Sequence, residues 1–208
     1  MSEKQLTYKY SSDWIHQIES QDHWAFYWNQ ARLVLEYVNS EDAILEIGVG
    51  SGFLANYLRS WNYNVETIDI DSDKNPNILA NIVEYDFPRK YDYVLAFEVF
   101  EHIPYAEFEN LLNKLSRVCK KGIILSVPRN EKPWLEITLQ TILSPRKFIF
   151  RFTSIRNKLT TDHHFWEVEY KAYNKNFLEK TFHENGFKKV YYEKYRATMF
   201  YVLNNSKY

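Results

Sequence analysis

Short apolar runs alternate with longer stretches of helical period along most of this chain. Residues 43–47 form a brief apolar run whose isoleucines favour an extended strand. Further strands are expected at 64–70, 77–81, 92–97 and 123–127, the last stopped by Pro128. Helical spacing fills the gaps. Residues 51–60 predict one helix and 105–119 another, with Phe108, Leu111, Leu112, Leu115 and Val118 on one face. Lys120, Lys121 and then Gly122 are placed to end that second helix. Residues 71–76 are too rich in turn formers to hold much helix. Ahead of the first strand, Trp24, Tyr27, Trp28, Ala31, Leu35 and Val38 recur at helical spacing over 23–39. This helix is expected to pack His23 and Trp28 against the sheet. Residues 1–22 are polar and irregular, with Trp14 and Ile18 docking a short helix. Later, 174–185 predict a helix closed by Gly186, and 187–191 and 195–203 predict strands. This order argues for an α/β fold, a doubly wound and mostly parallel sheet, in one domain spanning 1–208.

The pattern breaks over 129–161. Apolar and aromatic residues from Trp134 to Phe152 mix there with seven cations, Arg129, Lys132, Arg146, Lys147, Arg151, Arg156 and Lys158. Against Glu131 and Glu136 alone, the local charge is +5. The segment is too long for a turn. It is expected to be a mostly helical insertion after the fifth strand that caps a pocket, its cations attracting an acidic or phosphorylated acceptor. A membrane-surface helix and a dimer contact are the competing readings.

Chemistry concentrates where the first strand meets its helix. Glu46-Ile47-Gly48-Val49-Gly50-Ser51-Gly52 sets three glycines at alternate positions, permitting close approaches that side chains block. Ser51 is placed to cap a helix whose N-terminus offers N–H donors to an anionic group. A dinucleotide fold needs G-x-G-x-x-G. Here the third glycine comes one residue early and Phe53 takes its place, which disfavours an NAD-dependent oxidoreductase. Glu46, two residues before the first glycine, suits a ligand carrying an ammonium group. The stretch resembles the E/D-x-G-x-G-x-G signature of class I S-adenosylmethionine-dependent methyltransferases. Glu98-Val99-Phe100-Glu101-His102-Ile103-Pro104 is similar to the stretch after the fourth strand in small-molecule members. His164-Phe165-Trp166-Glu167 resembles a feature of one branch of small members. The resemblance covers residues 40–130 best.

It implies a Rossmann-like sheet of seven strands with the last antiparallel, and S-adenosyl-L-methionine as cofactor. Glu46, Gly48, Gly50, Gly52, Asp69, Ile70, Asn81, Ile82 and Phe97 are the expected cofactor-binding residues. Asp69 ends the second strand, about 20 residues past the glycines, where an acid accepts ribose hydroxyls; Asp71 is its neighbour. Asn81 is suited to read an adenine edge, with Asp86 as rival. His102, His164 and Glu167 are the catalytic candidates, and a histidine is the usual base. His163, His164 and Glu167 could together hold a metal, though none is expected. DNA-methylating subclasses do not fit: Phe97-Glu98-Val99-Phe100 replaces the exocyclic-amine motif, and Cys119 lies at a helix end. The implied acceptor is a small molecule methylated on oxygen or nitrogen.

Composition narrows the rest. A net charge of −1 gives no electrostatic case for nucleic acid. The single cysteine excludes an intramolecular disulfide and fits a reducing cytoplasm. No apolar run approaches the ~18–20 residues of a transmembrane segment. The other function class is a non-catalytic cofactor-binding or scaffold protein; the intact Glu46, glycines and Asp69 favour an enzyme.

Overall fold

A computed structural model describes residues 17, 20–140 and 147–208, so the expected docking of Trp14 and Ile18 lies outside the described residues. The strands of the main sheet are β1 (Ala43–Ile47), β2 (Asn64–Asp69), β3 (Ile78–Leu79), β4 (Tyr91–Phe97) and β5 (Cys119–Pro128). A separate pair follows, β6 (Glu131–Gln140) and β7 (Lys147–Ile155), and then β8 (Phe187–Tyr195) and β9 (Thr198–Asn205) return to the main sheet. Four α-helices accompany them among the described residues: α1 (Gln21–Tyr37), α2 (Phe53–Ser60), α3 (Tyr105–Val118) and α4 (Lys175–Glu184). The main sheet runs β3-β2-β1-β4-β5-β9-β8. All neighbours from β3 to β5 are parallel, and β9 pairs antiparallel with both β5 and β8. This is the doubly wound, seven-stranded Rossmann-like sheet, with its single antiparallel strand, that the sequence implied.

Both faces of the sheet are covered, which explains why its central strands read as unbroken apolar runs. Side chains alternate across it. Leu45 and Ile47 of β1, with Val94 and Ala96 of β4, join one cluster that includes Phe108, Leu112 and Phe182 from α3 and α4. Ile44 and Leu95 point the other way, to Ala31, Val34, Leu54 and Leu58 of α1 and α2. Trp166, 1% exposed, lies in the first cluster.

Four expectations need correction. The 129–161 insertion is a β-hairpin over its described part, with Glu131 opposite Ile155 and Gln140 opposite Lys147. Its β-branched and aromatic residues, Ile137, Thr138, Ile149, Phe150 and Phe152, favour the pleated form over helix. Its base is tied down by Glu131, a buried carboxylate that accepts from Arg129, from Arg151 (3.3 Å) and from Lys194 of β8 (2.6 Å). Second, Lys120-Lys121-Gly122 does not end a helix but lies within β5, which starts at Cys119. Third, Gly52 and not Ser51 is the N-cap of α2, although the Ser51 hydroxyl accepts from Phe53 N–H at the helix start (3.3 Å) as well as from Tyr27 Oη–H of α1 (2.9 Å). Fourth, the buried face of α1 is Tyr27, Ala31 and Val34, while Trp28 is 61% exposed and Leu35 is also outside. Indole bulk mimicked a core stripe at the wrong angle.

Candidate active site

Three loops at the carboxyl ends of β1, β2 and β4 converge, where ligands sit in open α/β sheets. The loop after β1 carries Gly48, Gly50 and Gly52, all left-handed (φ +78°, +56° and +74°). A Cβ on Gly48 would stand 2.6 Å from Val99 Cγ2, so only glycine lets this loop pass the one after β4. Around Gly50 nothing among the described residues lies within 4 Å of the Cβ position. The loop is held by Gly48 N–H donating to Ile68 O (2.9 Å) and Val49 N–H donating to Asp69 Oδ2 (2.8 Å). Asp69 Oδ1 accepts from Asp71 N–H (2.8 Å), so the acid that ends β2 orders two turns at once.

A cavity of about 440 Å³ opens on one side of this loop. Glu46, Gly48, Gly50, Phe97, His102 and His164 line it, and so do His23, Phe26 and Tyr27 of α1. The leading helix therefore closes over the site, and His23 faces the cavity as well as its aromatic neighbours. A second cavity, about 120 Å³, lies over β2 and is lined by Asp69, Ile70, Asn81 and Ile82. The two share Gly48, Glu98 and His102 on their walls. Gly52 lies instead on a third hollow with Arg59 and Thr67. Asn81 closes its own turn, its Oδ1 accepting from Val83 N–H (3.1 Å). Asp86 is fully exposed and pairs with Lys114 (3.6 Å), away from both cavities.

Glu46 is 4% exposed, and its Oε2 has no hydrogen-bond partner among the described residues. Burial, opposed by Arg59 and assisted by Asp69, pushes its carboxyl up to about 8. The turn after β4 carries two acids that the sequence reading passed over. Glu98, at φ +53°, is pushed up to about 7 by burial, against a hydrogen bond from Ser126 Oγ (2.8 Å). Glu101 is 1% exposed and shifted further upward by burial and by Glu98. The signal was that Glu98 and Glu101 stand three residues apart with His102 directly after, which puts all three on one short 3₁₀ turn, Phe100–His102, and its flank.

His102 and His164 meet, ring centroids 4.9 Å apart at 78°. Burial and His164 lower His102 to about 4, so its ring is neutral. Its Nδ1–H donates to His163 O (3.3 Å). His164 Nδ1–H donates to Glu167 Oε1 (2.7 Å), the contact expected from their spacing, made in an irregular segment and not on a helix. Glu167 itself does not line the cavity. It is 0% exposed behind His164 and also accepts from Thr160 N–H (2.6 Å) and Asn130 Nδ2–H (2.7 Å). Burial raises its carboxyl, and these hydrogen bonds outweigh burial and hold it below the usual range. Glu167→Gln should cost about 1–3 kcal/mol of stability in urea denaturation, because the amide turns donors toward donors; a change under about 0.5 kcal/mol would show the network to be slack.

The hairpin does not line either cavity among the described residues, and no Lys or Arg lines the larger one. Arg129 and Arg151 turn to Glu131, so the expected basic cap is not found over the pocket. Cys119 is buried, its thiol pushed up to about 12 by burial, and plays no part in the site. No helix among the described residues is long and apolar enough to cross a membrane.

A glycine-rich turn after β1, an acid ending β2 and a cavity at the strand tips define the class I S-adenosylmethionine-dependent methyltransferase fold. The chain matches the methyltransferase domain family over residues 22–192 and belongs to it. The cofactor of that family is S-adenosyl-L-methionine. Among solved structures, magnesium protoporphyrin IX methyltransferase from Synechocystis PCC 6803, with bound SAM, superposes with a TM-score of 0.61 at 13% identity. That match covers 98% of this chain and 89% of the other. A S-adenosylmethionine-dependent methyltransferase from Clostridium acetobutylicum ATCC 824 gives 0.58 at 12% identity, over 92% and 94%. The ubiquinone biosynthesis O-methyltransferase of Rickettsia bellii is 33% identical over 112 residues. The match covers 46% of each chain, so this chain spans about half the length of the curated relatives it matches.

Proposed function

We propose that the protein transfers the methyl group of S-adenosyl-L-methionine to an oxygen of a small-molecule acceptor. The observation that carries this reading is the buried Glu46 carboxylate, with an oxygen unpartnered among the described residues, set behind a glycine loop that leaves room at Gly50. That is a cradle for an ammonium-bearing ligand. The smaller cavity, with Ile70 and Ile82 on its walls and Asp69 at its edge, suits the adenosine half. Asp69 keeps lone pairs beyond the two amides it accepts from, enough for ribose hydroxyls. The larger cavity suits the methionine half and the acceptor. The cofactor supplies an activated methyl group; the chain holds both reactants in line and excludes water from them. Oxygen is favoured over nitrogen because the curated relatives are named O-methyltransferases. His102 and His164 face the acceptor space, and Glu167 positions His164.

Calorimetric titration with S-adenosylhomocysteine and with NAD tests the reading. Binding of the first and not the second is expected, and the reverse overturns it. The pH profile tests Glu46 further. An ammonium partner requires its carboxylate, and with a ligand-free value near 8 a proton must leave on binding. Affinity for S-adenosylhomocysteine should therefore rise about tenfold per unit from about pH 6 to 8, and Glu46→Gln should bind weakly with a flatter profile. A flat wild-type profile would remove Glu46 from the cofactor.

A further inference from the structure

A carboxylate oxygen of Glu101 and one nitrogen from each of His102 and His164 lie within 4.8 Å of one another. We infer that these three residues bind a divalent first-row transition-metal cation. Its open positions then take an oxygen of the acceptor, a role that rests on the methyl-transfer reading. The set differs from His163, His164 and Glu167, the combination considered from sequence.

The first support is Glu101. It is buried, it lines the larger cavity, and neither of its oxygens has a hydrogen-bond partner among the described residues. A carboxylate so placed is costly unless a cation meets it. The second support is orientation. A ligating imidazole characteristically donates its other N–H to a carbonyl or carboxylate, which fixes the ring and its tautomer. Both rings do this: His102 through Nδ1 to the His163 carbonyl, and His164 through Nδ1 to Glu167. In each, Nε2 then carries the lone pair for the metal. Glu167 is itself fixed by Asn130 and Thr160, so His164 is braced from behind. The third is donor type. Two imidazoles and one carboxylate suit zinc, manganese, iron or cobalt, whereas magnesium and calcium prefer oxygen throughout. The fourth is place. All three residues line the cavity assigned to the acceptor, with Glu98 on the same wall. A hydroxyl bound to a cation there gives its proton to solvent more readily as it binds, and the oxygen is held for attack on the methyl carbon, which breaks the carbon–sulfur bond and releases S-adenosylhomocysteine.

The test is calorimetric titration of the full chain, stripped with chelator, with Zn²⁺ and separately Mn²⁺, in the absence of cofactor. One ion per chain is expected. Glu101→Gln and His164→Ala should each weaken binding at least about 100-fold, more than the loss of an outer partner typically costs. His183→Ala, on the exposed face of α4, should leave it unchanged. Melting in chelator establishes that the variants fold, and Glu101→Gln, which keeps the size of the buried side chain, serves if His164→Ala does not. The proposal is overturned if the wild type takes up neither ion at millimolar concentration, or if folded variants bind as the wild type does. Failure with metal alongside S-adenosylhomocysteine binding removes the site and leaves the methyltransferase reading; the converse removes that reading and leaves the site.

Discussion

Trp166→Ala should destabilise the protein by about 3–5 kcal/mol in urea denaturation, the usual cost of emptying a large aromatic site in a packed core. Trp166 is 1% exposed and meets Tyr105 and Phe108, each with ring centroids at 5.1 Å. Its Nε1–H donates to Ile103 O (3.1 Å). Beside it, Phe165 N–H donates to Glu101 O (2.8 Å). Those two bonds fasten segment 164–167 to the turn after β4, so the tryptophan holds His164 against His102. The variant should therefore lose acceptor turnover even under conditions where it stays folded. A loss below about 1 kcal/mol would mean that the surrounding aromatics refill the space.

Gly50→Val should abolish S-adenosylhomocysteine binding while leaving a folded chain. At φ +56° a β-branched residue is strained by roughly 1–2 kcal/mol, which a domain of this size survives. Nothing among the described residues lies within 4 Å of the new Cβ. Its methyl groups would project from the loop that borders the larger cavity, so the cost falls on the ligand. An affinity loss of at least about 100-fold, near 2.7 kcal/mol, is expected by calorimetry. Gly48→Ala makes the contrast: its Cβ meets Val99 at 2.6 Å, so stability falls as well. Wild-type affinity in Gly50→Val would show that the cofactor does not pass this loop.

The sheet was legible because burial on both faces writes each strand as a compact apolar run, and turn residues punctuate them. The glycine turn, Glu46 and Asp69 were legible because backbone freedom and a charge at a strand tip leave local marks. The hairpin was not. Leu135, Ile137 and Leu139 do alternate with Glu136, Thr138 and Gln140, but the consecutive Phe148, Ile149 and Phe150 break the period on the second strand, and a mixed apolar stretch reads equally as helix. Glu98 and Glu101 were passed over because an acid in a turn ordinarily faces water; only packing against the segment around Trp166 buries Glu101. Nor does local spacing show that His102 meets His164, since that contact is made by tertiary structure.

The position of β9 has a consequence for biosynthesis. It lies between β5 and β8, yet it follows both of them in the chain. Until it emerges from the ribosome, β5 presents an open edge with its backbone donors and acceptors unpaired, a template for pairing with other chains. The nascent protein must therefore hold five strands of a sheet in waiting, and a chain cut short before Thr198 should aggregate rather than fold into a smaller domain.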